Sequence, residues 1–160
     1  MSMTPSEGVQ RGFLARRATR AGAVSVVDLA ERNGFDSLWL GDHLVFAVPI
    51  LDPLIQLAQA AALSDRLTVA TGVYLLALRH PTPTAKMAAT LDHISGGRFI
   101  FGTGVGGEFP GEFAAAGVPH KERGSRTSES IEVIRKLWSG EEITHKGRHF
   151  ELPPTRMLPA

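Results

Sequence analysis

From about residue 24 the apolar positions fall into two alternating rhythms. Val26, Val27, Leu29 and Ala30 make a helical stripe over residues 24–33, and Gly34 stands where a left-handed C-terminal cap is expected. Residues 35–40 form a short apolar run of strand type. Asp52-Pro53 opens a second helix, with a capping carboxylate and a proline suited to the first turn, running to about Ser64. "RLTVATGVYLLALRHP" reads as a strand and its exit loop. Thr82-Pro83 repeats the cap-plus-proline start for a third helix, "TAKMAATLDHI", which ends at Gly96-Gly97. "RFIFGTG" is the next strand. "SESIEVIRKLWSG" is a fourth helix, with Ile131, Ile134 and Trp138 on one face and Gly140 beyond its end. The tail "EEITHKGRHFELPPTRMLPA" alternates weakly and is read as a loop or a small hairpin.

Strand and helix in alternation predict an α/β fold of parallel strands joined by crossover helices. Either an open doubly wound sheet or a (βα) barrel satisfies the pattern, and both gather chemistry at the C-terminal ends of strands. Asp42-His43, Thr71-Gly72 and the loop from Gly102 to Gly107 all fall there.

The 160 residues suit one domain. Seventeen basic and sixteen acidic residues leave a formal charge of +1, which gives no reason to expect nucleic acid or an anionic membrane as partner. There is no cysteine, so disulfides, thiolate catalysis and cysteine-bound metals are excluded, which suits the cytoplasm. No apolar run approaches the roughly 18 residues of a membrane span. The first twenty residues carry Arg11, Arg16, Arg17 and Arg20 against one acid, Glu7, and are expected to be a poorly structured terminus.

Three places offer chemistry. "GTGVGGEF" matches G-x-G-x-x-G through Gly102, Gly104 and Gly107. A dinucleotide site requires a helix at once after the glycines, and Pro110-Gly111 is expected to interrupt one. A tight loop that needs positive φ is the plain alternative, and close approach of bare backbone to a planar ligand is the preferred reading. Asp42-His43 is a polar turn, or an imidazole aimed into a pocket for proton transfer, with Asp42 orienting it or bridging to backbone. His145 and His149 have a ligand-like spacing, but Gly147 between them favours a solvated basic loop, and no metal is expected. Glu141 and Glu142 are expected to be surface charge. Glu108 and Glu112 leave the strand ending at Gly104 within reach of the pocket, although solvated loop acids are expected.

Several segments taken together resemble one family. "AERNGFDSLWLGDHLV", "LTVATGVYLLALRHPTPTAKMAATLDHISGGRFIFGTGVGGEFPGEFAAAGVP" and "RGSRTSESIEVIRKLW" are similar to the bacterial luciferase-like superfamily of flavin- and deazaflavin-dependent oxidoreductases, over about residues 25–152. The resemblance implies a (βα)8 TIM barrel, of which this chain supplies the first four βα units, a half-barrel. Residues 1–24 match poorly, and residues 153–160 lead toward a fifth strand. It implies FMN or coenzyme F420 as cofactor, without choosing between them, and a small organic substrate. His43 and Asp42 are then the implied catalytic pair. Thr71, Gly72 and Val73, with a non-proline cis peptide at Gly72-Val73, and Thr103, Gly104 and Glu108 are implied to back or edge the ring. Alone, the chain is expected to be a truncated, inactive fragment that binds flavin weakly or not at all. An exposed apolar inner face would favour a homodimer. A non-catalytic half-barrel held together as such a dimer, and a Rossmann-type nicotinamide dehydrogenase, are the alternatives.

Overall fold

A computed structural model describes residues 20–160. The expectations for residues 1–19 lie outside the described residues. The elements in order are α1 (Arg20–Arg32), β1 (Ser37–Leu40), α2 (Pro53–Ala61), β2 (Thr68–Thr71), β3 (Tyr74–Leu75) running into a 3-10 turn (Leu76–Leu78), and α3 (Pro81–Ser95). There follow β4 (Phe99–Ile100), β5 (Thr103–Gly104), α4 (Pro110–Ala115), a 3-10 turn (His120–Glu122), α5 (Arg123–Leu137), β6 (Ile143–Lys146) and β7 (Glu151–Thr155).

The second and third expected strands are each broken in two, while the first is a single strand. The β2 run bends at Gly72–Val73, whose peptide is cis, and resumes as β3. The β4 run bends at Phe101-Gly102 and resumes as β5. Hence β1, β2 and β4 form one parallel sheet in that order, while β3 and β5 form a second parallel pair beside it.

Helix starts follow local capping chemistry. Asp52 accepts from the N–H groups of Leu54 (2.9 Å) and Ile55 (3.3 Å) above Pro53, as expected. That helix stops at Ala61, because Ser64 turns the chain: its hydroxyl accepts from the N–H groups of Arg66 and Leu67. For α3 the cap is His80 with Pro81, not Thr82 with Pro83; the His80 ring nitrogen accepts from Thr82 N–H at 3.2 Å. Gly34 and Gly96 take the left-handed conformation past α1 and α3.

The core lies on the helix-covered face of the three-stranded sheet. Leu38, Leu40 and Val69 pack there against Val27 and Ala30 of α1, Leu57 of α2 and Leu91 of α3, with Val133 and Leu137 of α5 in the same cluster. Strand alternation sends Trp39 to the opposite face. Trp39, Ala70 and Ile100 are cross-strand partners, and Trp39 and Ile100 are each 46% exposed.

The tail is a hairpin, β6 pairing antiparallel with β7, rather than a loop. His145 and His149 are correspondingly not in a solvated basic loop. His145 is buried, and Glu129 of α5 gathers the turn. The Glu129 carboxylate accepts from Phe150 N–H (2.9 Å), His149 N–H (3.0 Å) and His145 Nε2 (3.2 Å). Gly147 is required beneath it, since a Cβ there would collide with Glu129 Oε1. Burial raises the Glu129 pKa, but those donors outweigh it and hold it below the ordinary 4.5.

Glu129→Ala orphans several donors and is expected to cost about 2–3 kcal/mol, measured by urea denaturation. A depressed carboxyl pKa stabilises fully above its unfolded value and loses that contribution as pH falls through the folded value. The stability gap between wild type and Glu129→Gln is therefore expected to be constant above about pH 5 and to shrink below 4.5.

Candidate active site

The C-terminal ends of β1, β2 and β5 converge. Gly72 N–H donates to Leu40 O (2.7 Å). Gly102 O accepts from both Tyr74 N–H (2.8 Å) and the Thr71 hydroxyl (2.8 Å). This approach needs bare backbone: a Cβ on Gly102 would strike the Thr71 carbonyl, and one on Gly104 would strike the Val73 side chain. The glycine run thus answers to packing between neighbouring strand ends. A helix does follow it, contrary to expectation, because Pro110 occupies the first helical turn and starts α4 instead of breaking it.

Asp42 is 3% exposed and does not touch His43 in the way one sequence reading allowed. Its Oδ2 accepts from Leu75 N–H (2.8 Å) and Arg79 Nη1 (2.6 Å), and its Oδ1 accepts from Arg79 Nη2 (2.8 Å). Backbone bridging, the other reading, is what the structure contains. Arg79 also lies 3.6 Å from Asp52 and sits over the Tyr74 ring at 4.2 Å. Burial works against the Arg79 charge, but the hydrogen bonds and charge of Asp42 overcome it and raise its pKa. Tyr74 is pushed up to about 12, chiefly by burial, with Arg79 opposing.

His43 instead meets Glu112. Its Nδ1 lies 3.2 Å from Glu112 Oε1 and 3.4 Å from Oε2, and Leu44 N–H donates to Oε2 at 3.1 Å. Glu112 is 2% exposed, which overturns its expected role as a solvated acid; Glu108 is exposed, as expected. With Nδ1 engaged by a carboxylate, the ring's orientation is set, and no side chain among the described residues hydrogen-bonds its Nε2. The imidazole, 23% exposed, stacks on Phe46 at 4.0 Å and meets Phe109 edge-on at 5.5 Å.

Of the expected ring-contacting residues, Gly72 and Val73 are exposed at the strand end, and Thr103 and Gly104 are half-buried beside them. Thr71 differs: it is fully buried and its hydroxyl is committed to Gly102, so it belongs to the frame beneath the site. Sequence reasoning missed Arg79 altogether and undervalued Glu112. The available signal for Glu112 was Pro110, which, read as a helix start, places an acid in the first turn next to the buried Phe113. Among the described residues no group of three or more His, Asp or Glu side chains is arranged to hold a metal ion, and no helix is long and apolar enough to cross a membrane.

Residues 4–160 match the luciferase-like monooxygenase family model, reaching further toward both ends than the segments quoted above. The chain belongs to that family. It is 33% identical over 136 residues to 4-hydroxyprotoasukamycin monooxygenase of Streptomyces nodosus subsp. asukaensis, covering 84% of this chain and 36% of that protein. Among solved structures, the monooxygenase RslO1 from Streptomyces bottropensis superposes with a TM-score of 0.80 at 30% identity, over 89% of this chain and 45% of that one. Coenzyme F420-dependent tetrahydromethanopterin reductase from Methanopyrus kandleri gives 0.71 at 26% identity, over 89% and 44%. The oxygenating component of 3,6-diketocamphane monooxygenase of Pseudomonas putida, solved with FMN, shares the fold with a TM-score of 0.79 at 23% identity, over 91% and 42%. The chain therefore spans about a third of the length of the curated relative and under half of these structures.

Asp42→Asn leaves the part-exposed Asp52 as the remaining carboxylate beside Arg79 and is expected to cost about 3 kcal/mol. Urea denaturation measures it. A loss below that of an ordinary surface change would remove Asp42 from its role as the tie between β1 and the β3 turn.

Proposed function

We propose that this chain carries the proton-handling and ring-facing part of a flavin- or F420-dependent oxidoreductase acting on a small organic substrate, built as the first four βα units of a TIM barrel. The observation that carries the reading is that His43, held by the buried Glu112 carboxylate, follows the end of β1, while the paired strand β2 ends in the exposed backbone of Gly72–Val73, whose Gly72 N–H donates to Leu40 O. A planar ring system fits these residues, because the strand ends present flat backbone and apolar side chains, Val73 and Trp39, beside a titratable imidazole. Of the solved relatives, the diketocamphane monooxygenase component holds FMN and the tetrahydromethanopterin reductase depends on F420, and both cofactors are compatible with this half of the site.

The ring, when bound, supplies hydride transfer. This chain's residues do the rest. Gly72, Val73, Thr103 and Gly104 back and edge the ring, Glu108 lies at the rim, and the buried Glu112 carboxylate holds Nδ1 of His43. Nε2 of His43 then gives or takes a proton at the substrate. Asp42 acts one step back by tying the β1 end to Leu75 and Arg79. The Rossmann alternative has no support here, since α4 begins only at Pro110.

Self-association belongs to the same proposal. The half-exposed Trp39 and Ile100 face gives two copies an apolar surface to share, and light scattering at several concentrations tests it by a concentration-dependent rise in mass. The cofactor reading is tested by titrating the chain with FMN and with F420 while following the combined emission of its two tryptophans, Trp39 and Trp138. Weak, saturable quenching is expected, reduced in His43→Ala. The exposed strand-end backbone at Gly72–Val73 narrows the expectation of weak or absent binding to weak binding, so a flat titration with both cofactors would sink it. Glu112→Ala is expected to leave the chain folded while freeing the His43 ring, seen as a change in the imidazole nitrogen shifts and in the balance of tautomers.

A further inference from the structure

We infer that His120 is a positioning residue that holds the glycine loop in place over the candidate site. This rests on the reading of that loop as the edge of the ring site, but its geometry stands separately. After Gly104 the chain turns through Gly106 (φ 61°) and Gly107 (φ 131°), backbone that side-chain-bearing residues rarely adopt. Such a turn has many alternatives in solution, so something outside it must select one.

The selecting contact comes from the 3-10 turn ahead of α5. His120 Nε2 lies 3.2 Å from Gly107 O. Arg123 Nη1 lies 3.5 Å from His120 Nδ1 and donates to His120 O at 3.0 Å. A guanidinium has only donors, so Nδ1 faces it with its lone pair, and Nε2 carries the proton given to Gly107. Phe113, fully buried, meets the His120 ring edge-on at 5.0 Å. Its ring edge also lies 3.4 Å from where a Gly106 Cβ would stand. Arg123 Nε is 3.0 Å from where a Gly107 Cβ would stand, so the loop rests directly on this pair. The line of contact runs from Val73 through Gly104 and Gly107 to His120 and Arg123, linking the strand end to α5.

The nitrogen position makes the inference testable. In His120→Gln the side-chain amide reaches the place of Nε2; in His120→Asn it reaches only that of Nδ1. Backbone amide exchange from Val105 to Phe109 is expected to rise about five- to tenfold in His120→Ala and His120→Asn, as for one lost neutral hydrogen bond, and to return toward wild type in His120→Gln. Half-saturation by FMN, or by F420, is expected to worsen in the same order, with thermal melting alike among the three variants. Unchanged exchange in His120→Ala, or a Gln variant as open as the Ala variant, overturns the proposal. If the wild-type chain binds neither cofactor, the flavin reading fails instead, and the exchange order still decides whether His120 holds the loop.

Discussion

A carboxylate removed from water must find donors or lose its charge, and Asp42 finds three at once: one backbone N–H and both ends of a guanidinium. Those donors belong to the end of β3 and the segment just after it, so a residue just past β1 also fixes where β3 turns into α3. Asp52, capping α2, touches the same guanidinium. Both ends of the loop between β1 and α2, and the turn from β3 into α3, are therefore referred to a single arginine. His43 and the Gly72–Val73 corner inherit their positions from that arrangement. The ion pair is a device of placement, since a buried pair of this kind seldom adds net stability over an apolar substitute.

The second constraint is steric. Gly102 and Gly104 sit where neighbouring strand ends leave no room for a side chain, and the breaks at Gly72 and Gly102 divide the apolar runs into shorter strands. Local sequence explains each bend poorly, because the reason for it lies on the adjacent strand. The open face shows the same dependence in reverse. Trp39 and Ile100 have the character of core residues, yet within this chain nothing among the described residues covers them.

What was legible in the sequence was what near neighbours decide. Asp52-Pro53, Gly34 and Gly96 are caps whose partners lie within a turn, and each is found where expected. Thr82-Pro83 misled because His80-Pro81 offers the same chemistry two residues earlier, with an imidazole as acceptor. The position of His43 at a strand end was readable from alternation alone. Its partner was not, because Glu112 is 69 residues away and reaches it only through the loop geometry of β5 and α4. Arg79 was invisible for a similar reason: one arginine before a helix resembles any surface charge until the fold buries it against Asp42. His149 and Phe150 gave no hint that their N–H groups would be gathered by a glutamate on α5.

Glu112 rides on a helix of six residues that is continuous with the glycine loop and shares its support, Phe113. The bare backbone at the strand end and the acid facing His43 thus travel on one stretch of chain, from Gly102 to Ala115, while the imidazole stays with the sheet. For inheritance and for engineering, that stretch is a cassette. Exchanging it between relatives would replace the loop's shape and the histidine's partner together, so the two properties are expected to diverge as a set rather than one residue at a time.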